Sequence, residues 1–178
     1  MKIFVLLLLL CMMVCTTNAQ QQSVEQIGLE CIVASYQKKG VDIKAVLEEL
    51  EDCLVKAGSL KDRTGESYIA FHEKALQVDS IPAHIPENLV LNISRVSYGF
   101  HMDSECRKQI ASASNFEQST FKKLIDLSKE PLPEHNITKA YGIERELSVM
   151  KPKDFENPFY KAMALISIVR ASKEGKFE

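Results

Sequence analysis

Four histidines, at positions 72, 84, 101 and 135, are the residues of this chain best suited to hold a metal or move a proton near neutral pH. No two of them stand three or four residues apart, and there is no His-Glu-x-x-His run, so no helix face offers a zinc ligand pair. His101, Asp103 and Cys106 are close in sequence, but helical periodicity breaks there and their side chains need not converge. Neither a metal nor a cofactor is expected. A serine nucleophile on a sharp turn is commonly written Gly-x-Ser-x-Gly. Gly65-Glu66-Ser67 lacks the second glycine and a preceding strand, and Thr64 to Ser67 reads better as a helix start. No glycine-rich run ends in lysine and a hydroxyl, so a phosphate-cradling loop is missing. Glu48-Glu49 and Glu51-Asp52 fall on the polar side of a helix, whereas glycosidase carboxylates must face each other across a cleft. No catalytic constellation emerges, and the chain reads as non-enzymatic.

The cysteines divide into two groups. Cys11 and Cys15 lie in an N-terminal apolar run, which leaves Cys31, Cys53 and Cys106. In an oxidising compartment three cysteines allow one bridge and one remaining thiol. Cys31 and Cys53 sit in the apolar stripes of neighbouring helices at closely matched heights, so the expected bridge is Cys31–Cys53. Cys106 is then a free thiol, or the site of an intermolecular bridge linking two copies. With Asp103 as cap, Cys106 falls in a first helical turn, where the helix dipole favours thiolate. Asp103 and Glu105 oppose this by like charge.

The compartment is read from residues 1–19. Lys2 gives a positive start, Ile3 to Val14 is unbroken apolar, and Thr17-Asn18-Ala19 places small residues where a signal peptidase cuts. Residues 1–19 are therefore expected to be a secretory signal, cleaved before Gln20, and residues 20–178 a single helical domain that is secreted and extracellular. The apolar run is too short to span a bilayer, and no later segment is long and apolar enough to be transmembrane. The whole chain carries a formal charge of −2, and losing Lys2 makes it one unit more negative. Such a chain lacks the basic field of a nucleic-acid or anionic-membrane binder. Asn92-Ile93-Ser94 and Asn136-Ile137-Thr138 are glycosylation sequons. Asn136 falls in a proline-flanked loop, and Asn92 inside a helical pattern.

The elements that would position these residues are helical. All six prolines fall between periodic segments, and strand signals are nearly absent. A first helix starts at Ser23, with Gln26 completing a capping box; Val24, Ile27, Cys31 and Ala34 share a face, and Gly40 stops it. Asp42 caps a second, stapled by Val41 and Val46, with the stripe Ile43, Val46, Leu47, Leu50, Cys53, Leu54 and Ala57. A third covers about residues 65–79, with Tyr68, Phe71, His72, Ala75 and Leu76 inward. A fourth begins near Pro86, with Leu89, Ile93, Val96 and Phe100 inward. Cys106, Ile110 and Ala113 mark a further segment. Asn115 is expected to cap the helix of Phe121, Leu124 and Ile125, and Ala140, Ile143, Leu147 and Met150 mark another.

The last helix departs from this pattern. Asn157-Pro158 opens it, and from Phe159 to Ala171 ten of thirteen residues are apolar, on all sides. A helix of this kind is buried on several faces. Alternatively, Met163, Leu165 and Ile166 line a cavity for an apolar ligand. The fold expected is all-α: a compact bundle of six or seven short amphipathic helices around the apolar C-terminal one. The function expected is extracellular binding, with carriage of a small hydrophobic ligand ahead of action on a protein partner or binding to a lipid surface.

Overall fold

The computed structural model describes residues 22–77, 85–96, 104–129 and 146–174, and among these it is helical with no strand. In chain order the helices are α1 (Val24–Gln37), α2 (Ile43–Lys56), α3 (Gly65–Gln77), α4 (Glu87–Ser94) and α5 (Ser104–Ser112). A short 3-10 turn, Phe116–Gln118, leads into α6 (Thr120–Lys129). A second 3-10 segment, Pro152–Glu156, precedes α7 (Pro158–Glu174). The residues expected to form the signal, 1–19, lie outside the described residues, as do Asn136, His84, His101 and His135. The all-α class stands.

Local chemistry sets the helix ends. The Ser23 side chain accepts from the Gln26 backbone N–H at 3.2 Å and opens α1. The Asp42 carboxylate accepts from the Ala45 N–H at 3.3 Å and opens α2, with Val41 and Val46 both buried beside it as a staple requires. Gly40 and Gly58, with positive φ of 70° and 72°, follow the ends of α1 and α2. Pro86 stands one position earlier than a first-turn proline, at the cap of α4.

α7 runs for 17 residues and places Phe159, Tyr160, Ala162, Ala164, Leu165, Ile166, Ile168 and Val169 out of solvent. It touches α1, α2, α4 and the second 3-10 segment. Two glycines allow close approaches around it. A Cβ on Gly28 of α1 would lie 2.4 Å from the Phe159 ring, so α1 can seat against α7 only because the side chain is absent. A Cβ on Gly65, at the start of α3, would lie 1.8 Å from the Pro152 carbonyl oxygen, which pins α3 to the second 3-10 segment.

The disulfide corrects the sequence expectation. The bridge joins Cys31 to Cys106, with their Cα atoms 6.2 Å apart, and Cys53 carries the free thiol. The expected Cys31–Cys53 pair fails because the buried face of α1 is Val24, Ile27, Gly28, Ile32 and Tyr36. That face is rotated away from the expected stripe: Ala34 is exposed, and Cys31 lies at the edge of the face, towards α5 rather than α2. Cys106 is accordingly neither a free thiol nor available to link two copies. Closing a loop of 75 residues in sequence contributes about 4.5 kcal/mol in the chain-entropy model, more than the shorter expected loop would.

Two substitutions test this packing. Gly28→Ala should lower the unfolding free energy by about 1–3 kcal/mol, since a ring in a filled core must move. Leu165→Ala should cost roughly 2–5 kcal/mol, because it empties space in a core where Leu165 is 2% exposed. Urea denaturation followed by circular dichroism measures both.

Candidate functional site

The residues singled out in the sequence scatter across the fold. Leu165 and Ile166 are core residues, and Met163 packs against the core while partly exposed. Neither of the two clefts described below is lined by any of the three. Asn92 is half-buried on α4, between exposed Leu91 and fully buried Ile93, and the Ser94 hydroxyl of its sequon is also buried. Glu48 and Glu49 are solvated as expected, but Glu51 is not: it is buried.

Glu51 is held by partners on three other segments. Its Oε1 accepts from the Tyr68 hydroxyl of α3 at 2.8 Å and from Lys161 Nζ of α7 at 3.0 Å. Arg63 Nε stands 3.7 Å from Oε2, and Arg63 also pairs with Asp52. Lys161 donates a second bond to the Arg63 carbonyl at 3.1 Å and lies 5.4 Å from the Tyr68 ring centre, which stacks on Phe155. Burial and the Glu51 carboxylate push the Tyr68 hydroxyl far above its ordinary pKa. The buried members of this cluster are engaged by one another, and together they tie α2, α3 and α7.

Two further buried groups titrate out of their usual range. His72 is 1% exposed, and its ring packs near Phe71 and Phe155. Nδ1 lies 2.8 Å from the Tyr68 carbonyl oxygen, which can only accept, so Nδ1 carries the proton and Nε2 is left without a partner in the core. Burial holds the imidazole below its ordinary pKa of 6.5. Glu146 has a buried carboxyl: Oε1 accepts from the Ser167 hydroxyl of α7 at 3.1 Å, and Oε2 has no partner. Burial pushes its pKa up from 4.5 to about 7, and the bond from Ser167 offsets only part of that.

A polar cleft of about 300 Å³ gathers several functional groups at the surface. Three stretches of chain build it: the first turn of α1, residues 115–123, and residues 149–154. Asn115 places the first two. It does not cap α6 as the sequence suggested; its Oδ1 accepts from the Val24 N–H at 2.9 Å, at the start of α1, and its Nδ2 donates to Glu25 at 3.0 Å. Ser119 caps α6 instead, accepting from the Lys122 N–H at 3.0 Å. The Tyr160 hydroxyl of α7 donates to Glu25 at 3.0 Å and accepts from the Phe121 N–H at 3.0 Å. Burial would raise the Glu25 pKa, but bonds from its own backbone, Asn115, Ser23 and Tyr160 outweigh it and hold the carboxyl below 4.5. Asp154 anchors the third stretch, accepting from Thr120 Oγ1 at 3.2 Å and from the Lys151 N–H at 2.8 Å.

A second groove, about 240 Å³, runs between α1 and α5 over the disulfide, with Glu30, Lys38, Glu105 and Gln109 along it. Among the described residues no group of three His, Cys, Asp or Glu side chains could hold a metal ion, and no helix is long and apolar enough to cross a membrane. The clefts could not have been found from spacing, because each combines residues distant in sequence. The one usable signal was Asn115, a capping residue whose role the sequence placed on the wrong helix. No protein-family model matches the chain, and no curated protein or solved structure shows significant similarity to it.

The two buried titrations have opposite signs. The folded pKa of His72 lies below its unfolded value, so its contribution is intact above pH 6.5 and is lost as pH falls towards the folded pKa. The folded pKa of Glu146 lies above its unfolded value, so its contribution is intact below pH 4.5 and is lost as pH rises through about 7. Glu146→Gln should therefore stabilise the protein at pH 8, by on the order of 1–3 kcal/mol, and change little at pH 4. His72→Leu should flatten the loss of stability between pH 6.5 and 5. Denaturation curves across this pH range read both effects.

Proposed function

We propose that this chain is an exported, non-enzymatic binding protein whose helices form one bundle about α7, and that it engages its ligand at the surface. The observation that carries this reading is the Cys31–Cys106 bridge between α1 and α5. A structural disulfide belongs to an oxidising compartment, and the apolar leader with its small-residue cleavage site supplies a route there. The two sequons are consistent with the same route.

Internal carriage of a small apolar ligand has less support than binding at the surface. Leu165 and Ile166 use their surfaces in core packing, and the larger cleft is lined almost wholly by polar side chains. A fold whose buried polar groups are bonded to one another and whose larger described cleft is lined by charged and polar side chains suits recognition of a polar ligand. Surface recognition also needs no nucleophile, in keeping with the lack of a catalytic constellation in the sequence.

Expression with the native leader in secretory cells tests this reading. The protein should appear in the medium beginning at Gln20, with a peptide map joining Cys31 to Cys106 and one titratable thiol at Cys53. Retention inside the cell with Met1 intact and all three cysteines reduced would sink it. An apolar fluorescent probe should show no saturable binding to the folded protein, whereas stoichiometric binding would return internal carriage to first place.

A further inference from the structure

The cleft between the first turn of α1, residues 115–123 and residues 149–154 has a charge pattern that selects among ligands. Its rim carries Lys123, Lys151 and Lys153, all exposed, and none forms an ion pair among the described residues. Lys122, next in sequence to Lys123, is by contrast committed to Asp126 and Glu117. The Gln118 amide adds an exposed neutral group at the same rim. Glu25 and Asp154 form a half-buried floor. Bonds from its own backbone, Ser23, Asn115 and Tyr160 fix Glu25 and use its lone pairs, whereas the bonds from Thr120 and the Lys151 N–H fix Asp154 and leave it spare lone pairs for a ligand.

We propose that this cleft binds a small hydroxyl-rich anion: a sugar-like polyol carrying one sulfate or phosphate ester. Three ammonium groups attract the ester oxygens at the rim, where charge-assisted bonds form without burying a lysine. Both floor carboxylates repel an anionic group and Asp154 accepts from hydroxyls, so the ligand enters with its ester outward and its polyol inward. A volume of about 300 Å³ stands at the lower end of small-molecule sites and suits a ligand of one sugar ring. A free inorganic ion satisfies only the rim, and a neutral sugar only the floor. The inference names the ligand class for the surface-binding reading above and rests on it.

The test is titration of the purified full chain, followed by NMR or calorimetry, with four probes: a hexose sulfate, a hexose phosphate, the neutral hexose and inorganic sulfate. At low salt at least one ester should bind about tenfold more tightly than either the hexose or the ion, and the two ester arms decide which oxyanion is preferred. Raising the salt to molar levels should weaken binding by screening the exposed lysines. The Lys151→Ala/Lys153→Ala double variant should keep its helical spectrum and lose roughly tenfold in affinity, about threefold per exposed charge. Lys44→Ala, a change at an exposed lysine on α2, should bind as wild type. Equal binding of inorganic sulfate and ester, equal binding of hexose and ester, or no binding of either ester would overturn the proposal. So would full affinity in the double variant. Because these titrations use purified protein, their failure leaves export untouched, and a failure of export leaves the titrations valid.

Discussion

Each polar side chain in the buried part of α7 is bonded to a carboxylate on another segment, and the arrangement of the other helices depends on those three bonds. Tyr160 bonds Glu25 of α1, Lys161 bonds Glu51 of α2, and Ser167 bonds Glu146. A helix surrounded by protein cannot leave a hydroxyl or an ammonium unpaired without a cost of about 1–3 kcal/mol or more. The partners must therefore come from the elements packed against it. The bonds also fix the rotation of α7: with Tyr160 turned to α1, Phe159 fills the space that Gly28 leaves open. Apolar burial supplies the driving force for docking α7, and the acid partners decide how it docks.

The three pairs differ in what they contribute. Lys161 and Glu51 are opposite charges, Tyr68 also donates to Glu51 and Lys161 also donates to the Arg63 carbonyl, and such a network offsets the desolvation of its members. Glu25 is ionised and bonded on both oxygens, so it supports α1 as an acid in the first turn of a helix should. Glu146 has one bond from a neutral hydroxyl and one orphaned oxygen, which is why its proton is retained to about pH 7. Burial of His72 costs stability as pH falls below 6.5, whereas burial of Glu146 costs stability as pH rises above 4.5, so the two titrations oppose each other between those values.

Local features were legible in the sequence, and relations between distant segments were not. The caps at Ser23 and Asp42, the stop at Gly40 and the stripe of α2 follow from spacing alone, because each involves contacts within a few residues. The stripe of α1 was misjudged because Gly28, which carries no apolar side chain, belongs to the buried face, while Ala34 does not. That error of about one side-chain position moved Cys31 towards α2 and produced the wrong disulfide. Glu51 looked like one more solvated acid in an acidic run. Its burial depends on Tyr68, Arg63 and Lys161, which come from two other helices and the loop between α2 and α3.

The candidate cleft was hidden for the same reason. Asn115 can cap a helix wherever it falls, and the sequence places it just before Phe121, Leu124 and Ile125. In the fold it serves the start of α1 across 91 residues of chain, since Ser119 already occupies the local cap. That exchange brings Glu25 beside residues 115–123, and the Asp154 bonds then draw residues 151–154 into the same rim. The lysines at 151 and 153 read in sequence as part of a solvated, mixed-charge stretch. With Asp154 turned towards Thr120 and the Lys151 N–H, the two lysine ammonium groups line the cleft without an ion-pair partner among the described residues. A set of bonds needed to close the polar groups of the fold thus leaves a concentration of positive charge above two fixed carboxylates.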